Sequence, residues 1–195
     1  MLLLGTYGAN ENFFTLKGEI EALFAGLRLK KASYTAEKNN PSYHPGRCAS
    51  ITIDGVDVGV MGQVHPLVAK NYGIDVDVYV AELNFTNMLT VQLPDATYTP
   101  LPKYPAVSRD LSLVCSEDIT VAQIEDVITA AAGKLLRDVK LFDIYRGVGV
   151  PEGKKSMAFS LELRADDRTL TDTDSEGVVT KGLAALKEKL DASLR

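Results

Sequence analysis

The sequence is poor in the residues that build metal sites and disulfide frameworks. Its 195 residues include two cysteines, two histidines and no tryptophan. Cys48 and Cys115 lie far apart and belong to no C-x-x-C pair, whereas a structural zinc site needs about four ligands in a recognisable spacing. We therefore predict two reduced thiols and no bound metal.

Long apolar runs and an excess of positive charge are also absent. No stretch approaches the roughly 18 apolar residues of a membrane span, and the apolar start at 1–5 is too short for a signal peptide. These absences predict a soluble, cytoplasmic protein without membrane contact. The formal net charge of -5 argues against a protein that coats DNA or RNA through bulk charge, but it permits a local nucleic-acid site.

The hydrophobic residues, 46% of the chain, follow readable periods. In the first half, apolar residues at helical spacing predict a helix at 13–27, capped by Asn12. Strands are predicted at 30–35, 48–53, 56–63 and 78–83, with Asp54-Gly55 as a hairpin turn and a short helix from His65-Pro66 to about 71. A further strand at the first residues has no obvious partner, so the chain looks like a piece of a longer protein.

Three prolines among ten residues mark a boundary. The segment 93–102 has no apolar period, which is typical of a linker. We predict one domain at 1–92 and a second at 103–195.

The second half follows the order β-α-β-β-α-β. Strands are predicted at 110–116, within 135–146 and at 156–164, with a short edge strand at the end. Helices are predicted from 121 to about 132, capped by Thr120, and up to 190, capped by Thr171 or Asp172. This order predicts an α+β ferredoxin-like sandwich, an antiparallel sheet with both helices on one face.

Strand alternation divides the side chains of this sheet into two faces. Phe142 and Ile144 are predicted to face the helices, together with Met157, Phe159, Leu161, Leu163, Leu111, Leu113 and Cys115. The opposite, exposed face is predicted to present Ser112, Asp143, Tyr145 and Ser156. Six basic residues surround it: Lys134, Arg137, Lys140, Arg146, Lys154 and Lys155. An aromatic ring on an open sheet with cations at its rim suits unstacked RNA bases, although many solvated sheet faces carry similar residues.

Other polar residues are better explained by structure than by chemistry. His44 and His65 each precede a proline and lack an adjacent nucleophile, so we predict turn and packing roles. The glycine-rich segment 147–153 lacks the lysine and helix of a phosphate loop. The acidic pairs near Asp166 and Asp172 fit helix capping and a solvated turn better than a metal site. We predict no catalytic residue in this chain.

Several segments resemble the β subunits of bacterial phenylalanyl-tRNA synthetases. In the second half these are KYPAVSRDLSLV at 103–114, LFDIYRG at 141–147, PEGKKSMAF at 151–159 and RTLTD at 168–172. In the first half FFTLKG at 13–18, HPGR at 44–47 and GQVHP at 62–66 are similar to the preceding domain of that subunit, with Asn12 where the family usually has Asp. The resemblance implies the end of a class II catalytic-like domain without an active site, followed by a ferredoxin-fold anticodon-binding domain.

The resemblance also implies roles and partners. Asp143 and Tyr145 would engage the guanine at the first anticodon position of tRNA(Phe), with Ser112, Ser156 and Arg195 nearby. Arg146, Lys154 and Lys155 would lie at the rim as further RNA contacts. The parent enzyme would be an α2β2 phenylalanine-tRNA ligase that uses ATP and magnesium, with the chemistry on its α subunit. Arg47 is interpreted as structural, with a contact to that subunit as a hypothesis.

Two rival functions remain open from the residues. Ferredoxin-like domains also bind small molecules at sheet edges, which would make the second half a regulatory module. The chain would otherwise be a purely structural piece that docks to a partner subunit.

Overall fold

The computed structural model describes residues 1–91, 98 and 100–195. The chain divides into two compact units, unit 1 at 1–98 and unit 2 at 99–195. The division lies inside the segment 93–102 that was predicted as a linker. Most of that segment falls outside the described residues, so the linker and the exact domain bounds stay predictions.

Unit 1 is a five-stranded antiparallel sheet in the order β1-β5-β4-β3-β2. Its elements are β1 (Leu2–Tyr7), α1 (Phe13–Gly26), β2 (Ser33–Ala36), β3 (Tyr43–Ile53), β4 (Val56–Val64), α2 (Pro66–Asn71), β5 (Val78–Leu83) and α3 (Phe85–Thr90). The predicted helices at 13–27 and 66–71 and the strand at 78–83 are confirmed. The strands predicted at 30–35 and 48–53 are β2 and β3, with β3 beginning five residues earlier than expected.

Helix α1 forms where its cap and its apolar spacing agree. The Oδ1 atom of Asn12 accepts from the backbone N–H groups of Phe14 and Thr15. In turn, the Thr15 hydroxyl oxygen accepts from the backbone N–H of Asn12 at 2.7 Å. This reciprocal capping satisfies donors that a helix start otherwise leaves unpaired. Its buried residues, Leu16, Ile20 and Phe24, recur every four residues and pack into the core beneath the sheet.

Two features of unit 1 differ from the prediction, a strand pairing between distant residues and a short helix. β1 was expected to lack a partner, but it pairs with β5 over its whole length, from Leu2 opposite Leu83 to Tyr7 opposite Val78. Sequence periodicity reports local structure and carries no information about a partner more than 70 residues away. Helix α3, capped by Asn84, was not predicted because its six residues are too few to show a helical period.

Unit 2 is the predicted ferredoxin-like sandwich. Its elements are β6 (Val107–Ser116), α4 (Val121–Ala132), β7 (Leu136–Tyr145), β8 (Lys154–Leu163), α5 (Asp172–Leu190) and β9 (Ser193–Leu194). The sheet order is β7-β8-β6-β9 with every neighbouring pair antiparallel. Thr120 and Thr171 cap α4 and α5 through capping boxes, which confirms both predicted helix starts.

One face of this sheet is buried and the other is open. The inward residues of β8, at 157, 159, 161 and 163, are at most 1% exposed, as alternation predicted. They form one core with β6, α4 and α5. Both helices contribute to this core, so the residues that alternate with it point to the opposite side of the sheet.

The assignment of Phe142 to the buried face is wrong. The register between β7 and β8 shifts between Leu141 and Asp143, so Phe142 is an extra residue in a β-bulge. Its side chain is 57% exposed. Ile144 lies opposite the buried Met157, yet it remains 40% exposed because β7 is the edge strand.

Candidate nucleic-acid interface

The strand register places the predicted site residues in two adjacent rows across the open face of unit 2. Ala158 lies between Ser112 on one side and Asp143 on the other, and Ser156 lies opposite Tyr145. The structure therefore brings Ser112, Asp143, Tyr145 and Ser156 together. Ser156, however, is only 3% exposed, which corrects the expectation that its side chain is presented openly.

The ring of Tyr145 is held against the loop that follows it. Its hydroxyl donates to the Val148 carbonyl at 3.3 Å, and the side chain keeps 38% of its surface exposed. A Cβ atom on Gly147 would lie 2.8 Å from the phenol oxygen, so this glycine leaves the space that the ring occupies. The ring is positioned by the loop but remains accessible.

Arg195 completes this group, although no periodicity pointed to it. Its backbone N–H donates to the Ser112 carbonyl at 2.9 Å, continuing the ladder that joins β9 to β6. Its guanidinium carbon lies 5.1 Å from the centroid of the Tyr145 ring, within range of a cation–π interaction. One face of the ring therefore already holds a cation.

Three of the six basic residues predicted around the open face are engaged within the protein, and Arg137 is one of them, donating to Asp166 at 2.6 Å. Arg146 donates from Nε and Nη2 to the two carboxylate oxygens of Glu117, at 2.8 and 3.1 Å. This pairing lowers the pKa of the Glu117 carboxyl and raises the pKa of Arg146. Lys155 is 8% exposed, and its Nζ donates to the Glu117 carbonyl at 2.9 Å. Lys154, the other basic residue predicted as an RNA contact, is half-buried.

The far end of the open face has a different chemistry. A shallow depression of about 330 Å³ there is lined by Ala106, Ser108, Asp138, Lys140, Ser160 and Glu162. The hydroxyls of Ser108 and Ser160 are 3.1 Å apart. With two carboxylates against one ammonium group, this end disfavours a phosphate backbone. The aromatic and cationic groups are concentrated around Tyr145.

The histidines and Arg47 of unit 1 make local structural contacts. The Nδ1 atoms of His44 and His65 accept from the backbone N–H groups of Gly46 and Leu67, which confirms the predicted turn roles; His65 in addition caps α2, which was not predicted. Arg47 donates to the side chain of Gln63 at 2.7 Å, and Gln63 donates in turn to Asp77 at 2.8 Å. This network gives Arg47 a structural role within the sheet.

Two absences hold for the part of the chain that the structure describes. Within it, no group of three or more His, Cys, Asp or Glu side chains is placed to hold a metal ion. None of the helices in residues 1–91 and 100–195 is long and apolar enough to cross a membrane.

Sequence reasoning missed two residues around Tyr145. Glu117, which anchors Arg146 and Lys155, follows β6 in a turn and belongs to no pattern that alternation detects. Gly147 was considered only as part of a glycine-rich loop. A glycine two residues after Tyr145 was the available signal for this contact, since glycine often stands where another group approaches the backbone closely.

The two units each match a known class of domain. Residues 102–195 match the family described as "Ferredoxin-fold anticodon binding domain". Residues 3–85 match the family described as "Phenylalanyl tRNA synthetase beta chain CLM domain". Unit 2 is thus a domain of the ferredoxin-fold anticodon-binding class.

Relatives of the whole chain bear one name. The protein named phenylalanine–tRNA ligase beta subunit of Clostridium tetani is 41% identical over 194 residues, covering all of this chain and 24% of the relative. Those of Bacillus licheniformis and Symbiobacterium thermophilum are 42% and 44% identical over 184 residues, covering 94% of this chain and 23% and 20% of the relatives. The chain belongs to the phenylalanine–tRNA ligase β subunit family, as its motifs predicted, and spans about a quarter of these relatives' length.

Proposed function

We propose that this chain recognises the anticodon of tRNA(Phe) with the Tyr145 end of the open face of unit 2. The observation that carries the proposal is the half-exposed Tyr145 ring on an open sheet, next to Asp143 and under the guanidinium of Arg195. Single-stranded RNA is bound by such a combination of stacking surface, hydrogen-bonding groups and cations.

Each residue of this group has a distinct task in the proposal. Tyr145 stacks on the first anticodon base with the ring face that Arg195 leaves open, and the Arg195 guanidinium over the opposite ring face supplies positive charge for a nearby phosphate. Asp143 accepts hydrogen bonds, since an ionised carboxylate has no donor. Guanine presents an N–H and an amino group side by side on its Watson–Crick edge, which selects it over bases without two adjacent donors. Ser112 and Ser156 limit the space around the base.

The larger protein acts as a phenylalanine–tRNA ligase in this account. It attaches phenylalanine to its tRNA in the cytoplasm with ATP and magnesium, as an α2β2 assembly whose α subunit carries the chemistry. This chain contributes scaffold through unit 1 and tRNA positioning through unit 2. Binding energy gained at the anticodon orients the distant acceptor end, and such remote binding energy favours the reaction by fixing geometry.

A titration of anticodon stem-loops tests the proposal. One labelled stem-loop carries guanine at the first anticodon position and a second carries adenine there, each added to this chain at low salt. We expect the adenine loop and the Tyr145→Ala variant to bind more weakly. Tyr72→Ala, which removes a ring that is 80% exposed on unit 1, is the matched control. Equal binding of both loops, or no binding of either, would overturn the proposal for this chain.

A further inference from the structure

The turn that follows β6 is fastened to both ends of the loop that follows Tyr145. Glu117 holds Arg146 at the start of this loop through two side-chain bonds. At the end of the loop, the backbone N–H of Glu117 donates to the Gly153 carbonyl at 3.1 Å, and the backbone carbonyl of Glu117 accepts from the Lys155 ammonium group at 2.9 Å. We call Glu117, Arg146, Gly153 and Lys155 the Glu117 clamp.

Arg146 and Lys155, the cations that could bind a phosphate beside Tyr145, are hydrogen-bonded to Glu117. Arg146 directs Nε and Nη2 at one carboxylate in the bidentate geometry that suits guanidinium pairs. The Lys155 ammonium group belongs to a residue that is 8% exposed, and burial of this kind favours a fixed hydrogen bond over a mobile surface contact. Lys155 therefore presents no free cation to RNA, whereas the Arg146 side chain stays 56% exposed and is held in one orientation by Glu117.

The segment between the clamped ends controls the Tyr145 ring. Arg146 is the next residue along the chain, Gly147 leaves the space for the ring, and the Val148 carbonyl receives the hydroxyl. A Cβ atom on Gly149 would lie 3.6 Å from Nη2 of Arg195, so the same segment also borders the cation above the ring. A shift of this loop would move both groups.

We infer that Glu117 is a positioning residue for anticodon recognition, whose carboxylate acts through Arg146 to hold the Tyr145 ring in its binding position, while its backbone carbonyl anchors Lys155. The inference rests on the function proposed above and assigns Arg146 and Lys155 to the support of the site instead of contact with RNA. An exposed ion pair contributes little to folding, so the clamp matters for the geometry of the loop more than for stability.

Removal of the Glu117 carboxylate should change RNA affinity in opposite directions, depending on whether Arg146 binds phosphate directly or Glu117 positions the Tyr145 ring. If Arg146 binds phosphate, Glu117→Gln frees it and removes a repulsive charge, so RNA binding tightens and depends more steeply on salt. If Glu117 positions the ring, Glu117→Gln weakens binding of the guanine stem-loop by about three- to tenfold, a part of one base stack, with an unchanged salt dependence. Glu152→Gln removes one negative charge from the clamped loop itself, at a position that is not part of the clamp, and is the control, expected to leave binding unchanged or slightly tighter.

A charge swap provides a rescue test. Glu117→Arg combined with Arg146→Glu restores the ion pair with its charges exchanged, so binding returns toward that of the unaltered chain. Residue 146 is then acidic, so a direct phosphate contact predicts a further loss instead. Recovery supports the positioning role, and a further loss overturns it.

A measurement without RNA keeps the inference independent of affinity. The Tyr145 ring resonances of tyrosine-labelled chain are expected to shift in Glu117→Gln, to stay in place in Glu152→Gln and to return in the swapped pair. Ring resonances that do not move in Glu117→Gln would overturn the inference. If Glu117→Gln tightens binding while Tyr145→Ala weakens it, the inference fails and the proposed function stands. If Tyr145→Ala leaves binding unchanged, the proposed function itself fails.

Discussion

Tyr43 in unit 1 and Tyr145 in unit 2 are both tyrosines on antiparallel sheets, but they are used in opposite ways. Tyr43 is 3% exposed, and its hydroxyl donates to the Glu82 carboxylate at 2.8 Å. Tyr145 is 38% exposed, its hydroxyl reaches only a loop carbonyl, and a cation covers its ring. The first tyrosine is buried and bonded within the fold, whereas the second keeps part of its ring accessible, as the proposed contact with RNA requires.

The largest expected effect tests whether unit 2 has one packed and one open face. Phe159→Ala removes a fully buried ring and should lower the free energy of unfolding of unit 2 by about 3–5 kcal/mol. Denaturant unfolding followed by hydrogen exchange at unit 2 amides measures this change. Phe142→Ala, in the exposed bulge of the same sheet, is the control and should cost far less. Equal losses would contradict the described burial.

The next prediction concerns the buried tyrosine. Tyr43→Phe removes the donor to Glu82 and keeps the buried ring, so unit 1 should lose about 1.5–3 kcal/mol, the usual range for a hydrogen bond to a charged group. Thermal or denaturant unfolding of unit 1 provides the measurement. RNA affinity should not change, and a parallel loss of affinity would show that the contrast between the two tyrosines is wrong.

A substitution at Tyr145 should have the opposite pattern to one at Tyr43, with a loss of RNA affinity and little loss of stability. Tyr145→Ala should weaken binding of the guanine stem-loop by about 1–3 kcal/mol, the range for one lost base stack. The stability of unit 2 should change by only about 0.5 kcal/mol, as for other surface substitutions. A fluorescence titration and an unfolding curve on the same sample separate the two effects. A stability loss as large as that of Tyr43→Phe would make Tyr145 a structural residue.

The smallest expected effect is a difference in pH response. In unit 2, hydrogen bonds from Thr171 and then from Arg168 lower the pKa of Asp174, and Arg146 lowers that of Glu117. Carboxyls with lowered folded pKa values contribute stability above the unfolded values near 4, and this contribution is lost as the pH falls below them. Unit 2 should therefore weaken in acid.

In unit 1 the shifted pKa values belong to groups that ionise in alkali, such as Cys48 and Tyr43. Burial raises the pKa of Cys48 to about 11, and burial followed by the Glu82 carboxylate raises the pKa of Tyr43. A raised folded pKa contributes stability below the unfolded value, and this contribution is lost as the pH rises through about 9 and above. Hydrogen exchange of each unit against pH checks both directions. An acid-sensitive unit 1 with an acid-resistant unit 2 would contradict the assignment.

Local chemistry explains which parts of the fold were predictable. Asn12, Thr120 and either Thr171 or Asp172 were expected as caps because their side-chain oxygens can bond to nearby backbone donors, and the structure shows Asn12, Thr120 and Thr171 in that role. The hairpin turn at Asp54-Gly55 was equally local, and both residues have the positive φ angles that such a turn needs. These elements follow from interactions within a few residues.

The features that sequence did not reveal depend on tertiary register. The bulge at Phe142 breaks the alternation from which its burial was inferred. Lys155 was counted as a rim cation because its charge is visible in the sequence, but its bond to the Glu117 carbonyl is not. For the candidate site, alternation correctly gave the side of Asp143 and Tyr145, while Arg195 came only from family resemblance.

The central claim is that the anticodon binds at the Tyr145 end of the open face. Backbone and tyrosine-ring NMR spectra of this chain, recorded while the guanine stem-loop is added, test it most directly. The account predicts that the largest shifts occur at Ser112, Asp143, Tyr145, Ser156 and Arg195, with little change at Ser108, Asp138 and Glu162. The account would be contradicted if the largest shifts occurred at the far end of the open face, around Asp138 and Glu162, on the helices α4 and α5, or in unit 1.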